Sequence, residues 1–310
     1  MNRSSAGYSL IELCISMGLA LVLLSFLIGA VVTGRKSALQ TEQLVQLQHQ
    51  AQLAHRLLQN ELQNLWFVAG KSWAELQEAQ VPAEAPAADC ALAGQAGSFP
   101  QPDKRFSPLY SAMVGLTPPD CLPGASPGSE LVQIRRLLGS PEPSAQLLAN
   151  KVYFDPAGRG RFVPSREAGA ALLLWPYHHV VYYIQQQSWN GSKLPVLMRK
   201  RLLRSSSGQL VMAAESILDG VERLHLELGL DLNADGQTDQ WLSSSQMTPE
   251  LWQQPVISVR YYLLLRSLQP DPGYRNTVSY QLGAVRFQAP GDPYRRLQLS
   301  SAVLVHNSRL

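Results

Sequence analysis

The feature that most constrains this chain is an uncharged apolar run of twenty residues at positions 13–32, which contains neither Pro nor Asn. In an α-helix each residue rises about 1.5 Å, so the run spans the roughly 30 Å hydrocarbon core of a bilayer. A cleavable signal peptide would have a shorter apolar stretch followed by a small-residue cleavage site. Here the small residue, Gly7, precedes the run, after a leader with one basic residue, Arg3. The run therefore predicts a membrane anchor that is retained.

A carboxylate at the edge of this run, Glu12, needs a separate explanation. An ionised side chain at the edge of a hydrocarbon segment costs on the order of a few kcal/mol, and such residues usually face a partner inside an assembly. If the peptide bond after Gly7 were cut, the new amine of Tyr8 would lie one helical turn from Glu12. The same amine on a neighbouring subunit could neutralise the carboxylate. Glu12 is therefore predicted to act in subunit assembly.

The succession of Gly7, Tyr8, three residues, Glu12 and about twenty apolar residues resembles the type IV prepilin family. The resemblance implies cleavage between Gly7 and Tyr8 by a prepilin peptidase, and N-methylation of Tyr8. It also implies that Glu12 takes part in packing subunits into a pilus or pseudopilus. Tyr8 stands where the family more usually has Phe. The alternative is an ordinary signal anchor in which the glutamate has no special role.

Beyond the anchor, a stripe of apolar residues predicts that the helix continues. The members recur at steps of three and four, with polar residues between them; they are Leu44, Leu47, Ala51, Ala54, Leu58, Leu62 and Leu65. Neither Pro nor Gly interrupts the stripe, so we expect one helix from about Ser9 to about Phe67. His49 and His55 belong to this helix and are expected to be solvated.

Two of the three cysteines, Cys90 and Cys121, lie in a polar, Pro-rich stretch. Because no His or third Cys nearby could complete a metal site, the pair predicts a disulfide, worth roughly 3 kcal/mol. The alternative is two free thiols, which a cytoplasmic location would favour. A disulfide would place the bulk of the chain in the periplasm. Cys14 lies in the apolar run and is expected to pack as a small apolar residue.

From Glu130 onward the sequence is typical of β-strands, rich in Val, Leu, Ile and Tyr and broken by Gly, Pro or Asn. The segments predicted as strands are ELVQIRRLL, HHVVYYIQQQS, LPVLMRKRLLRS, VERLHLELGLD, VISVRYYLLLRS, NTVSYQLGAVRFQ and RRLQLSSAVLVHN. Four histidines fall on or beside them, without a clear acidic neighbour, and are expected to be structural or surface residues: His178, His179, His225 and His306. With a long helix in front and no alternating strand and helix units, the predicted class is α+β with a mainly antiparallel sheet.

These patterns divide the chain into five parts. Nine prolines in residues 81–128 predict a long loop, held by the proposed bridge, in which a single packed element is not expected. The predicted parts are a leader at 1–7, a transmembrane and assembly helix at 8–33, an amphipathic helix at 34–68, a Pro-rich disulfide loop region at 69–129, and a β-rich periplasmic or extracellular domain at 130–310.

The segment DLNADGQTD, residues 231–239, follows the register of a calcium loop. Its oxygen ligands at positions 1, 3, 5, 7 and 9 would be Asp231, Asn233, Asp235, the Gln237 carbonyl and Asp239, with Gly236 at position 6. Leu242 occupies position 12, where a bidentate Glu is expected, so the affinity would be low or another residue would complete the shell. The alternative is a hairpin turn, because Asn, Asp and Gly also favour turns between strands. Ca²⁺ is the one cofactor that the sequence suggests.

Longer segments resemble the PilW-type minor pilins of type IV pili over most of the chain. These are PGSELVQIRR after a cysteine-containing loop, ILDGVERLHLELGLDLNADGQTDQW, VISVRYYLLLRS and RRLQLSSAVLVHN. The resemblance implies a low-abundance subunit that forms a priming and tip complex with other minor pilins, supporting adhesion, twitching motility or DNA uptake. It implies the major pilin, the prepilin peptidase and the inner-membrane assembly platform as further partners. The expected location is the inner membrane, with one span and a periplasmic C-terminal domain, and then the pilus.

Two other classes of function are weighed beside this one. A minor pseudopilin of type II secretion, of the J type, has the same N-terminus but is usually shorter. A membrane-anchored periplasmic enzyme would need catalytic residues, and none is predicted: GASPG matches G-x-S-x-G around Ser126, but Pro123 and Pro127 do not fit a strand-to-helix elbow. A net charge of +3 does not suggest direct nucleic-acid binding.

Overall fold

The computed structural model describes residues 9–92, 94–164, 173–189 and 191–306. The chain divides into two compact units, Met1–Gln46 and Leu47–Leu310. Helix α1, Leu10–Gln63, is continuous through both. This confirms the single long helix that the sequence predicted, although regular structure ends before the expected Phe67. A second, short helix, α2, covers Trp73–Gln77 and begins with a capping box between Ser72 and Glu75.

The second unit is rich in β-strands. In chain order they are β1 Leu109–Met113, β2 Glu130–Leu137, β3 Glu142–Pro143, β4 Val152–Asp155, β5 Arg161–Pro164, β6 Leu173–Trp189, β7 Ser192–Arg204, β8 Leu210–Asp219, β9 Val221–Leu230, β10 Gln240–Ser243, β11 Val256–Arg266, β12 Ser279–Leu282, β13 Val285–Gln288 and β14 Arg296–Leu304. Short 3-10 helices occur at Ser144–Gln146, Ser244–Gln246 and Leu251–Gln253.

The strands form two sheets and a separate hairpin. Eight strands make the larger sheet, in the order β1-β2-β6-β4-β5, with β3 and β7 also paired to β6 and with β8 paired to β7. The smaller sheet has the order β10-β9-β11-β14, and β12 and β13 form a two-stranded sheet. The pairings between these strands are antiparallel. The α+β class with a mainly antiparallel sheet is therefore confirmed.

The main core lies where part of α1, the smaller sheet and one face of the larger sheet meet. Strand alternation sends Val132, Ile134 and Tyr182 into this core from the larger sheet, and Leu226 and Leu228 enter it from β9. From α1 it receives six members of the predicted stripe: Leu47, Ala51, Ala54, Leu58, Leu62 and Leu65. Leu44, the remaining member, is exposed.

The Pro-rich region is more ordered than the long loop that the sequence predicted, because it contributes a strand and a packed core. Strand β1 lies inside this region and pairs with β2. Cys90, Leu92 and Phe99 are buried in a second core against the other face of the larger sheet, which receives Val181 and Tyr183 from β6. The prolines limit regular hydrogen bonding, but they do not prevent the apolar residues between them from packing. The larger sheet is therefore covered on both faces, and each residue of β2 is buried.

One predicted strand is in fact a hairpin. The segment NTVSYQLGAVRFQ turns back at Gly283, whose φ of +64° is left-handed, and becomes β12 and β13. A Cβ at Gly283 would lie 2.8 Å from Glu227 Oε1, so a side chain there would also collide with the sheet. Strands β1, β3, β4, β5, β8 and β10 were not among the predicted strand segments.

Candidate functional site

At the start of helix α1, the predicted assembly carboxylate, Glu12, accepts a backbone hydrogen bond. The Ser9 N–H donates to Glu12 Oε2 at 3.0 Å, and the Leu13 N–H donates to the Ser9 carbonyl. Glu12 therefore occupies the position of a capping-box glutamate three residues after the cap. The predicted processing residues, Gly7 and Tyr8, lie outside the described residues. The predicted contact between the Glu12 carboxylate and a Tyr8 amine therefore stays a prediction.

The apolar part of α1 leaves its large side chains uncovered. Leu13, Leu23 and Val32 are each more than half exposed, as are most of the large apolar residues between them. The polar side chains in this stretch bond within the helix: Ser16 and Ser25 donate to carbonyls one turn back. By length and composition, this helix could cross a membrane, and among the described residues it is the one candidate. A helix in lipid must make its hydrogen bonds internally, because the hydrocarbon offers no partners.

Within the second unit, α1 is attached by a buried charged cluster around Glu61. This carboxylate is 4% exposed and accepts from Arg136 Nε and Nη2 at 3.2 and 3.1 Å. Its other oxygen accepts from the Tyr182 hydroxyl at 3.1 Å and lies 3.3 Å from His178 Nε2. Arg136 belongs to β2, and the other two partners belong to β6. The cluster therefore joins the helix to two central strands of the larger sheet.

The surroundings of Glu61 keep its carboxyl ionised. Burial by itself would raise the pKa, but the hydrogen bonds and charges of His178 and Arg136 outweigh it and lower the pKa of Glu61 to about 2. Burial, together with the nearby Glu61 charge, raises the pKa of the Tyr182 hydroxyl. The hydroxyl therefore remains a donor. A fully hydrogen-bonded buried charge holds one geometry, because loss of any partner leaves a desolvated group unpaired.

Three histidines differ from the sequence-based expectation. His55 is not simply solvated, since its Nδ1 lies 2.5 Å from the Tyr261 hydroxyl on β11. His178 and His225 do have acidic neighbours, which come from distant parts of the chain: Glu61 for His178, and Glu130 at 3.8 Å for His225. These pairs have large sequence separations, so spacing along the chain gave no signal for them.

The predicted disulfide between Cys90 and Cys121 is present in the structure. Lys200 Nζ donates to the Ala88 and Cys121 carbonyls at 2.8 and 2.7 Å, so one cation of β7 bonds both sides of the bridge. Beside it, the Asp89 carboxylate accepts from the Cys90 N–H at 2.9 Å. These contacts hold the Pro-rich region against the larger sheet.

A fully buried arginine, Arg135 of β2, supports the same region. Its guanidinium donates to the Gly97 and Ser107 carbonyls at 2.8 Å and to the Ala96 carbonyl. Burial lowers its pKa to about 10. Burial and the Arg135 charge also hold the pKa of His179 well below its usual range, so this histidine is neutral. His179 is structural, as the sequence indicated.

The proposed calcium segment forms the turn between β9 and β10. Asp231, 4% exposed, accepts from the Asp235 and Gly236 N–H groups at 3.2 and 2.8 Å. Asp239 accepts from the Leu232 N–H at 2.7 Å, and Asp235 accepts from the Gln237 N–H at 2.7 Å. The carboxylates thus accept hydrogen bonds from the backbone N–H groups of the turn. This is the hairpin turn that the sequence offered as the alternative to a calcium loop.

The fit of this turn to a metal is incomplete. Asn233 places its Nδ2 donor 3.3 Å from Asp235 and 3.2 Å from Asp239, where a cation ligand would need an acceptor. In the described part of the chain, no three His, Cys, Asp or Glu side chains are grouped so that they could hold a metal ion. Calcium binding by Asp231, Asn233, Asp235, Gln237 and Asp239 stays a prediction.

Ser126 of the GASPG segment does not have the surroundings of a nucleophile. It is 7% exposed, and its hydroxyl has no hydrogen-bond partner among the residues that the structure describes. A nucleophilic serine needs a base within hydrogen-bond reach. The segment therefore gives no support to the enzyme alternative.

A long apolar helix followed by an antiparallel β domain is the pilin-like arrangement expected from the sequence. Residues 181–307, less than half of the chain, match the family model of PilW, the Type IV Pilus-assembly protein W. This match supports a type IV pilus-associated protein family and involvement in pilus assembly. No curated protein and no solved structure is significantly similar to the chain.

Proposed function

We propose that this chain is a minor pilin, cleaved by prepilin peptidase between Gly7 and Tyr8, that joins a priming and tip complex of a type IV pilus. The observation that carries the proposal is a PilW-family match in a β-rich domain that follows an exposed apolar helix. The partners are other minor pilins, the major pilin and the inner-membrane assembly platform. The complex would serve adhesion, twitching motility or DNA uptake.

In this proposal Glu12 has two successive roles. Before assembly it accepts the Ser9 N–H at the start of α1. In the assembled filament its charge meets the methylated Tyr8 amine of a neighbouring subunit, since an unpaired carboxylate at the edge of hydrocarbon is costly. The apolar surface of residues 13–32 packs against other subunits, and Gly18 and Gly29, which have no atom within 4 Å of an added Cβ, permit close approach of helices.

The proposed location is the inner membrane, with one span and a periplasmic C-terminal domain, followed by the pilus. The apolar helix supplies the anchor. The bridge between Cys90 and Cys121 fits an oxidising compartment such as the periplasm.

The second candidate is a J-type minor pseudopilin of type II secretion, because the same helix start and apolar run would serve both assemblies. The two differ in partners. Co-purification of the full chain from detergent-solubilised membranes, with detection of pilus and of secretion subunits, separates them. Recovery of secretion subunits alone would contradict the pilus assignment.

The role of Glu12 is tested with three full-length variants in a host that makes the pilus. Glu12→Ala removes both the cap and the charge, whereas Glu12→Gln keeps an acceptor for the Ser9 N–H and removes only the charge. We expect both variants to be anchored, folded and nearly absent from sheared pili. Glu42→Gln, an exposed position on the same helix, is the control and is expected to assemble normally. Normal assembly of Glu12→Gln would mean that no charge pair is needed.

Processing is tested by intact mass and N-terminal sequencing of the chain from membranes with and without the peptidase. We expect a chain that begins at a methylated Tyr8 only when the peptidase is present. Retention of residues 1–7 in both membranes would contradict the pilin assignment.

A further inference from the structure

The outer face of the smaller sheet carries an arginine without an ion-pair partner. Leu228 and Val259 point into the main core, so alternation along β9 and β11 sends Gly229 and Arg260 to the opposite face. In the described part of the chain, Arg260 makes no hydrogen bond or ion pair. Its guanidinium lies over Trp241 of β10 instead, with Cζ 3.8 Å from the ring centroid. The positive charge on this face is therefore available to a ligand.

The contact with Trp241 fixes the position of this guanidinium. Gly229 lies on the strand between the two residues, opposite Trp241 on one side and Ser258 on the other. A Cβ added at Gly229 would collide with Ser258 Oγ, so this position has no side chain and Arg260 can extend across β9. Stacking uses the face of the guanidinium and leaves the N–H groups at its rim free to donate. Arg260 thus holds a pair of parallel donors, the arrangement that recognises a carboxylate.

A cleft of about 230 Å³ lies beside Arg260, between β11 and β14. Arg260 and Tyr262 form its walls, and Ser300, Ser301 and Ala302 line its floor. In the ladder Arg260 lies opposite Ala302, and Tyr262 lies opposite Ser300. The space between the walls stays open because the residues opposite them are small.

The polar groups around the cleft include both signs of charge. The Tyr262 hydroxyl donates to Glu227 Oε2 at 2.7 Å, although Glu227 lies opposite Arg260 in the ladder. Burial, together with the Glu227 carboxylate, raises the pKa of Tyr262 to about 12, so its hydroxyl stays a donor. The side chain of Ser300 is exposed. The cleft therefore offers one cation, hydroxyl groups and an aromatic ring, with a carboxylate close by.

We propose that this cleft binds a saccharide that carries a carboxylate, such as a uronic acid residue of a longer chain. The carboxylate accepts two parallel hydrogen bonds from Arg260. The C–H face of the sugar ring packs against the ring of Tyr262, and a sugar hydroxyl bonds with Ser300. Since β14 is the end strand of the smaller sheet, the rest of the saccharide extends past it.

Size and charge make this ligand fit better than an acidic peptide. Sites for drug-sized ligands measure about 300–1,000 Å³, so a cleft of about 230 Å³ suits one small ring. A peptide strand added to β14 would lie two strand spacings, about 10 Å, from β11 and would leave the cleft empty. Glu227 repels a second carboxylate, whereas it does not repel the neutral hydroxyl groups that make up the rest of a sugar.

Binding is tested with the full chain purified in a detergent that has no sugar headgroup. The probes are cellobiouronic acid and cellobiose, which differ by one carboxylate, and a blocked Ser-Glu-Ser peptide, which carries one carboxylate without a sugar. Dissociation constants are measured by saturation-transfer NMR titration. We expect cellobiouronic acid to bind about tenfold or more tightly than either of the other probes, because a hydrogen bond to a charged group contributes that much.

Two substitutions locate the site. Arg260→Gln should weaken the binding of cellobiouronic acid by about tenfold or more. Its matched control is Arg286→Gln, which removes the same charge from an exposed position on β13 and is expected to bind as the wild type does. Ala302→Tyr fills the cleft without changing a charge and should abolish binding. An unchanged unfolding temperature and an intact Cys90–Cys121 bridge show that each variant is folded.

Several outcomes would overturn the proposal. These are no binding of cellobiouronic acid by the wild type, equal binding of cellobiose, and equal losses with Arg260→Gln and Arg286→Gln. Binding that persists with Ala302→Tyr would place the ligand outside the cleft. Tighter binding of the peptide would mean that the face takes acidic peptides instead. The proposal does not rest on the proposed function, because the isolated chain is measured and neither processing nor assembly enters the test.

Discussion

The buried Glu61 carboxylate gives a quantitative prediction about stability. We consider Glu61→Gln, which keeps the shape of the side chain and removes its charge. The substitution leaves the guanidinium of Arg136, which is 6% exposed, without a counter-charge. Removing one partner of a buried ion pair typically costs about 3 to 5 kcal/mol. We therefore expect a loss of that size in the free energy of unfolding at pH 7.

The pKa of Glu61 supplies a second, independent magnitude. It is lowered from 4.5 to about 2, chiefly by His178 and Arg136 acting against burial. At about 1.36 kcal/mol for each pH unit, this lowering corresponds to about 3 kcal/mol. Because the folded-state pKa is depressed, this contribution is fully present above pH 4.5. It is lost as the pH falls from 4.5 towards 2.

The assay is urea unfolding of the full chain in detergent micelles between pH 7 and pH 2, for the wild type and Glu61→Gln. We expect the difference in the free energy of unfolding between the two proteins to shrink by about 3 kcal/mol over that range. Protonation of other carboxylates affects both proteins and cancels. Glu42→Gln, on the exposed part of the same helix, should match the wild type at each pH. A difference between wild type and Glu61→Gln that stays constant with pH would refute the reasoning.

Three further predictions concern stability. Replacing Cys90 and Cys121 together by Ser should lower the free energy of unfolding by about 3 to 4 kcal/mol, measured by urea unfolding; an unchanged value would show that the bridge adds nothing. Leu58→Ala, at a fully packed position of α1, should cost about 2 to 5 kcal/mol, whereas Leu53→Ala, at an exposed position of the same helix, should cost less than about 0.5. If the turn binds calcium, adding Ca²⁺ to chelator-treated protein raises the unfolding temperature, and Asp231→Asn abolishes the rise; no rise in the wild type contradicts the calcium prediction.

Patterns that repeat within a few residues were enough to predict much of the fold. The apolar run and the stripe that follows it define α1, because each turn of a helix brings residues three and four apart onto one face. Most of the strands after Glu130 followed from β-rich composition and breaking residues. The pairing of Cys90 with Cys121 could be predicted because no His or third Cys lies nearby to complete a metal site.

Contacts between distant segments could not be predicted from patterns that repeat within a few residues. The Pro-rich region looked like a loop, yet Lys200 and Arg135, both from strands later in the chain, bond its carbonyls and hold it in a second core. Strand β8 was not predicted because apolar and polar residues are mixed along it, so its composition is not typical of a strand. The turn at Asp231 shows the opposite case, in which a metal-like spacing also suits a turn held by its own carboxylates.

The sequence by itself determined the apolar run that could cross a membrane, the long helix, the strand-rich domain and the disulfide pair, because each depends on periodicity, on composition or on the few cysteines present. Only the tertiary structure decided the partners of Glu61, the covering of the larger sheet on both faces, and the place of β14 at the end of the smaller sheet. These depend on which strands become neighbours, and that choice results from the summed burial of residues far apart in the chain, which no local pattern records.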